Sequence, residues 1–182
     1  MRGVGDQIPE FTVTGVKPNF TQHEQDGQSA FEEVNNESFP DKWKVIFFWP
    51  KDFTFVCPTE IVEYGNLNAE FEDRHTVLLG CSTDNEFTHL AWRREHGDLT
   101  DSPIMWLSDC TGSLVDGLGI RERDAGVALR ATFIIDPQGT IQHVSVNNLN
   151  VGRSPEEALR ILDGLQTDGL CACSRPLGGD TL

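Results

Sequence analysis

Between Trp43 and Ser108, three apolar runs (WKVIFF, TVLLGCS and IMWLS) alternate with two stretches of helical periodicity, which confines the chain to layered α/β folds. The runs are continuous, as strands covered on both faces are, rather than polar at every second residue. From Thr59 to Arg74, residues Ile61, Tyr64, Leu67 and Phe71 fall at helical spacing, and in NEFTHLAWRREHG residues Phe87, Leu90, Ala91 and Arg94 share one face. His89 and His96 are expected on the surface of that second helix, and Trp92 in the core. GSLVDGLGI predicts a short helix, and RATFIID-PQGT-IQHVSV a hairpin of two strands about a Pro-Gln-Gly turn. In SPEEALRILDGLQ, Ser154 at the N-cap, Pro155 at the first helical position and Glu157 predict a capping box, with Ala158, Ile161, Leu162 and Leu165 as the buried stripe. The expected architecture is a mixed sheet with helices on both faces. The tail LCACSRPLGGDTL is rich in Gly and Pro and has no periodicity, so loose packing is expected unless a neighbouring protomer covers it. The chain divides on this reading into a domain over residues 1–168 and a tail over 169–182.

Composition narrows the partners. The chain has 29 Asp and Glu against 14 Lys and Arg, a net charge of −15 that repels phosphate backbones and anionic bilayers. Neither nucleic acid nor membrane is expected as a partner. MRGVGDQIPEF lacks the apolar run of a secretory signal, and no later stretch approaches the roughly 20 apolar residues of a membrane span, so a cytoplasmic location is expected. The 5 cysteines (Cys57, Cys81, Cys110, Cys171 and Cys173) are odd in number and unevenly spaced, unlike the framework of a secreted disulfide scaffold. In a reducing compartment they start as thiols, and any disulfide is expected to be catalytic or transient.

Cys57 stands where strand and loop give way to the first helix, at or next to its N-cap, where the helix dipole favours a thiolate. Pro58 follows it and Thr54 offers a nearby hydroxyl. The segment PKDFTFVCPTE resembles the active-site signature of the peroxiredoxins, with Pro50, Thr54, Cys57 and Glu60 in place. LRATFIIDPQG and NNLNVGRSPEEALR are similar to the family's two arginine segments and supply Arg130 and Arg153, so the resemblance covers nearly the whole chain. It implies the thioredoxin-like (peroxiredoxin) fold and, within the family, the typical two-cysteine enzymes of the alkyl hydroperoxide reductase C type.

The chemistry such a family performs explains the residue set. Cleavage of an O–O bond needs in-line attack by a thiolate while negative charge develops on the departing oxygen. The Thr54 hydroxyl, the Cys57 amide and the Arg130 guanidinium would meet the two oxygens, and Pro50 would shield the pocket from water. A carboxylate against the sulfur would oppose ionisation, so Glu60 is expected to orient Arg130 or Arg153 by an ion pair; its alternative is an ordinary first-turn helix position. Arg153 is either part of that support or a surface residue.

Cys171-Ala172-Cys173 reads as two incidental tail thiols, half of a metal site lacking its other ligands, or a source of a second redox thiol. The resemblance favours the last, with a tail cysteine of a neighbouring protomer condensing with oxidised Cys57. Cys171 follows an apolar residue, as the family's resolving cysteine does, although the proline usual after it is absent. Cys81 is expected in the core and Cys110 at a surface turn. The implied function is reduction of hydrogen peroxide and organic hydroperoxides without metal or other cofactor, in a homodimer that joins a ring of dimers. Thioredoxin, a flavoprotein subunit or an alkylhydroperoxidase D type protein would act as the dithiol reductant. The rival readings are a thioredoxin-type disulfide reductase, which would need a CxxC that this chain lacks, and a ring-forming holdase chaperone.

Overall fold

The run that begins at Trp43 lies inside a seven-stranded sheet in the computed structural model, which describes residues 1–182. In chain order the elements are β1 (Thr12–Val16), a ribbon of β2 (Glu24–Gln25) and β3 (Gln28–Ser29), β4 (Phe31–Asn35), β5 (Trp43–Phe48), α1 (Cys57–Asn66), α2 (Asn68–Glu72), β6 (Thr76–Ser82), α3 (Glu86–Glu95), β7 (Met105–Ser108), α4 (Ser113–Leu118), β8 (Arg130–Ile135), β9 (Ile141–Asn147) and α5 (Pro155–Leu165). The sheet order is β4-β1-β7-β6-β5-β8-β9. β5, β6 and β7 run parallel through helical crossovers, and every other neighbour is antiparallel. No helix is long and apolar enough to cross a membrane.

Alternation along the central strands separates two apolar layers. Val45, Phe47 and Trp49 face α1, α3 and α5, while Ile46 and Phe48 face α4 and Phe11 of the N-terminal segment. Gly80 on β6 allows the first layer to close, because a Cβ there would stand 2.5 Å from the Trp49 ring. The sequence pattern places no element before Trp43, yet β1 and β4 fill that end of the sheet. β4 is one of the two edge strands and carries exposed Glu32 and Glu33, so it lacks the apolar run by which the inner strands announce themselves. The long first helix is interrupted at Leu67 into α1 and α2.

The buried face of α3 differs from the apolar one. It consists of His89, Leu90, Trp92 and Arg93, whereas Phe87 is 57% exposed and Arg94 is exposed. Polar side chains can go inside when most of their donors find acceptors, and Arg93 leaves only its Nε without one. Arg93 donates from Nη2 to the Ile104 carbonyl (3.0 Å) and from Nη1 to the Lys17 carbonyl (2.5 Å), and its guanidinium stacks over Trp106. His89, fully buried rather than at the surface, has Nδ1 2.6 Å from Asp52 Oδ2 and Nε2 3.1 Å from the Leu107 carbonyl. His96 is half-buried. The other Asp52 oxygen accepts from the Trp49 indole (2.7 Å), and the Asp52 amide donates to Asp84 (3.0 Å).

At α5 the Ser154 hydroxyl accepts from the Glu157 amide (3.3 Å), but the Glu157 carboxylate turns to Arg160 and the capping box is half formed. Its buried residues are Pro155, Ala158, Leu159 and Leu162, with Ile161 and Leu165 partly covered. The tail lies back on this helix, because Arg175 is 6% exposed and pairs with Asp163 at 2.7 Å.

Acceptors at both ring nitrogens favour the doubly protonated His89. Burial pulls its pKa down, but the Asp52 charge and hydrogen bond, with the bond to Leu107, outweigh burial and raise it above the ordinary 6.5. The pair's contribution to stability is therefore complete below pH 6.5 and disappears as the pH rises through that raised value. Asp52→Ala, which strands the imidazole and the indole N–H, should lower the free energy of urea unfolding by about 3 kcal/mol near neutrality. The gap from wild type should narrow in mild alkali. A gap that widened there would contradict the doubly protonated ring.

Candidate active site

Cys57 is the first residue of α1. Val56 caps the helix without a side-chain hydrogen bond and Pro58 follows in the first turn, so the end of the helix nearest the thiol is not neutralised by a capping side chain. The side chain is wholly buried, and its Sγ lies 3.4 Å from Arg130 Nη1. Arg130 opens β8, which pairs antiparallel with β5 and so reaches the end of the sheet where α1 begins.

Three contacts aim that guanidinium: Nε donates to the Leu149 carbonyl (2.6 Å), while Nη1 donates to Glu60 Oε2 (2.7 Å) and to the sulfur. Glu60 lies three residues after Cys57 and 3% of it is exposed. Besides Arg130 it accepts two bonds from the Arg153 guanidinium, Nε to Oε1 (2.8 Å) and Nη2 to Oε2 (2.9 Å), and a third from the Arg153 amide (2.9 Å). Arg153 Nη1 continues to the Ala131 carbonyl (2.6 Å) and to Thr132 Oγ1 (3.4 Å). Tyr64 reaches the same hydroxyl (2.9 Å) and stacks on Phe47 with ring centroids 4.0 Å apart. One carboxylate thus orders two guanidiniums, and the excess positive charge faces the sulfur.

Burial pushes the Glu60 carboxyl up, but the hydrogen bond and charge of Arg153 and the charge of Arg130 outweigh it and hold it below the ordinary carboxylate range. Glu60 therefore bonds both arginines that the sequence offered as alternatives, and the Arg153 side chain is only 4% exposed.

The other expected site residues are placed as follows. Pro50 is buried just beyond β5. Thr54 is half-buried and its hydroxyl donates to the Lys51 carbonyl (3.0 Å) rather than to the sulfur. Cys171 and Cys173 are exposed free thiols without contact to Cys57 in the same chain. Cys81 is buried, and burial together with the Asp109 charge pushes its thiol well up. Cys110 is exposed, 3.3 Å from Ser108 Oγ. No three His, Cys, Asp or Glu side chains converge as metal ligands do.

Sequence reasoning missed the support of the loop between β5 and α1. Asp52, held by His89, Trp49 and Asp84, fixes a segment in which Phe53 takes a φ of 56°, a conformation bulky residues rarely adopt. An Asp three residues after a buried Trp is the signal that was available.

The AhpC/TSA family model matches residues 4–144. Alkyl hydroperoxide reductase C of Mycolicibacterium smegmatis is 47% identical over 181 residues, spanning 98% of this chain and 92% of that protein. Peroxiredoxin-2 of Bos taurus is 41% identical over 186 residues, spanning 98% and 88%. Among solved structures, Mycobacterium tuberculosis AhpC superimposes with a TM-score of 0.87 at 45% identity, covering 94% of this chain and 97% of that one. The reduced 2-Cys peroxiredoxin of Plasmodium vivax superimposes with a TM-score of 0.86 at 36% identity, covering 100% and 93%.

Replacing Glu60 by Gln leaves two buried guanidiniums without their counter-charge, and unfolding stability at neutral pH should fall by about 3 kcal/mol or more. Because its folded pKa is depressed, the carboxylate contributes in full above its ordinary 4.5 and loses that contribution as the pH falls through the lower folded value. The stability curves of wild type and Glu60→Gln should accordingly converge in acid. Parallel curves down to the acid limb would show that Glu60 is not the charge that matters.

Proposed function

The chain belongs to the AhpC/TSA family, and we propose that it is a thiol peroxidase in which Cys57 attacks hydrogen peroxide and organic hydroperoxides. The observation that carries this reading is the 3.4 Å contact between the Cys57 sulfur and a guanidinium whose direction is set by Glu60 and the Leu149 carbonyl.

The positive charge beside the sulfur complements a thiolate. Its lone pair attacks one peroxide oxygen in line with the O–O bond. That bond breaks, its electron pair leaves on the second oxygen as alkoxide or hydroxide, and a proton from solvent completes the alcohol or water. The sulfur is left as a sulfenic acid. Arg130 and the Cys57 amide meet the charge that develops on the leaving oxygen. Thr54 takes part by turning its hydroxyl from the Lys51 carbonyl to the bound peroxide, and Pro50 keeps water from the sulfur.

A tail thiol, Cys171 or Cys173, then condenses with the sulfenic acid and releases water. Cys171 is favoured because it follows Leu170. Donation from a neighbouring protomer is supported by the exposure of both thiols and by their lack of contact with Cys57 in the same chain. β9 is an unpaired sheet edge, which suits a second copy, and exposed Phe53, Phe55 and Phe87 offer apolar area for joining dimers into a ring. A dithiol protein of the alkylhydroperoxidase D type, thioredoxin or a flavoprotein subunit restores the thiols by exchange. The odd number and uneven spacing of the 5 cysteines suit a reducing cytoplasm.

Cys57→Ser should abolish peroxide reduction and leave the fold intact, since a serine hydroxyl does not ionise near neutrality. Arg130→Met should slow the oxidation of Cys57, followed by stopped flow, by about two to four orders of magnitude. A loss under about threefold would remove Arg130 from the chemistry. Peroxide should also produce a dimer on a nonreducing gel that disappears in Cys171→Ser/Cys173→Ser. Persistence of that dimer would assign the second thiol to Cys81 or Cys110.

A further inference from the structure

The Cys-x-Cys tail is tied to its own protomer by one carboxylate. Asp163 on α5 accepts at Oδ2 from Arg175 Nη1 (2.7 Å) and the Gly178 amide (3.1 Å), and at Oδ1 from Arg74 Nε (3.2 Å). Arg160, one turn earlier on the same helix, donates to the Arg175 carbonyl (3.1 Å), and the Leu182 amide closes the tail onto the Leu170 carbonyl (2.8 Å). The Cys171 thiol inside this loop is occupied with the end of its own helix, at 3.5 Å from Thr167 Oγ1 and 3.7 Å from the Gly164 carbonyl. A guanidinium in a stretch without an apolar run becomes 6% exposed because a carboxylate receives it. The attack of Cys57 on peroxide uses none of Asp163, Arg175, Arg160 and Arg74.

We propose that Asp163 is a positioning residue for the resolving step: it holds the reduced tail in a resting dock on α5, and departure of Arg175 from Asp163 gates the approach of Cys171 or Cys173 to an oxidised Cys57. The proposal rests on the peroxidase reading above. In the gated step the tail sulfur attacks the sulfenic sulfur, the S–S bond forms, the S–O bond breaks, and the hydroxide leaves with the tail thiol's proton as water. With the dock closed, Cys171 keeps its contacts on α5, and the lifetime of the sulfenic acid is set by how often the dock opens.

Stopped-flow mixing of the reduced full-length protein with peroxide separates oxidation of Cys57 from disulfide formation, and mass spectrometry of quenched samples assigns the phases. Arg175→Gln leaves Asp163 paired with Arg74 and frees only the tail. In it, and in Asp163→Asn, the first phase should match wild type while the second runs about three- to tenfold faster, the factor expected for loss of one hydrogen-bonded, partly exposed ion pair. Arg175→Lys, which keeps the charge, should stay near the wild-type rate. Hydrogen exchange over residues 169–182 should rise in Arg175→Gln without any peroxide, which reads the dock independently of the chemistry. A second phase in Arg175→Gln that is unchanged or slower, with the first phase intact, would overturn the gate and leave the peroxidase reading standing. Unaltered hydrogen exchange in that variant would overturn the dock itself. Absence of a first phase in the wild type would instead overturn the peroxidase reading, and the gate with it.

Discussion

Beneath Cys57 a single carboxylate, Glu60, is shared by two arginines, and three parts of the chain meet through it. Glu60 rides on α1, Arg130 on the start of β8 and Arg153 on the segment entering α5, so the ion triad closes the ends of three elements over one sulfur. Interior charges are costly unless paired and hydrogen-bonded, and here both guanidiniums also reach backbone carbonyls, those of Leu149 and Ala131. That saturation leaves Arg130 little freedom except to point at the thiol. The positive charge is consequently in place before any peroxide arrives, which is the condition under which electrostatic catalysis is most effective.

A second buried carboxylate does comparable work on the other side of the loop. Asp52 gathers the Trp49 indole and the His89 ring, and its amide is received by Asp84. The loop from Pro50 to Val56 is therefore suspended between two ionic anchors, one at each end. Phe53 and Phe55 within this loop are exposed, as the consequence of a backbone path set by polar contacts rather than by apolar burial.

Much of this frame was legible in the residues. The inner strands, the hairpin after Arg130, the N-cap at Ser154 and the position of Cys57 at a helix start follow from runs, spacing and turn chemistry. The site reading rests on the PKDFTFVCPTE segment and the two arginine segments, and the structure brings Cys57, Glu60, Arg130 and Arg153 together. The illegible polar features share a physical cause: they depend on atoms satisfied by partners that no local pattern reveals. His89 and Arg93 occupy the interior of α3 through Asp52, Leu107, Ile104 and Lys17, which no local periodicity reveals. β4 was hidden by its exposed glutamates, and the tail by the absence of any pattern that would disclose the pairing of Arg175 with Asp163.

The complete burial of Cys57 has a consequence for redox poise. In the proposed cycle, a disulfide between the wholly buried Cys57 and an exposed tail thiol would draw the sulfur out of its pocket and loosen the first turn of α1, which also carries Glu60. On that cycle the packing around Cys57 would be intact in the dithiol form alone. The lost free energy then belongs to the redox couple, raising its reduction potential by about 30 mV for each 1.4 kcal/mol. The same contacts that aim Arg130 at a peroxide would thus make the proposed disulfide a stronger oxidant, readily surrendered to a dithiol.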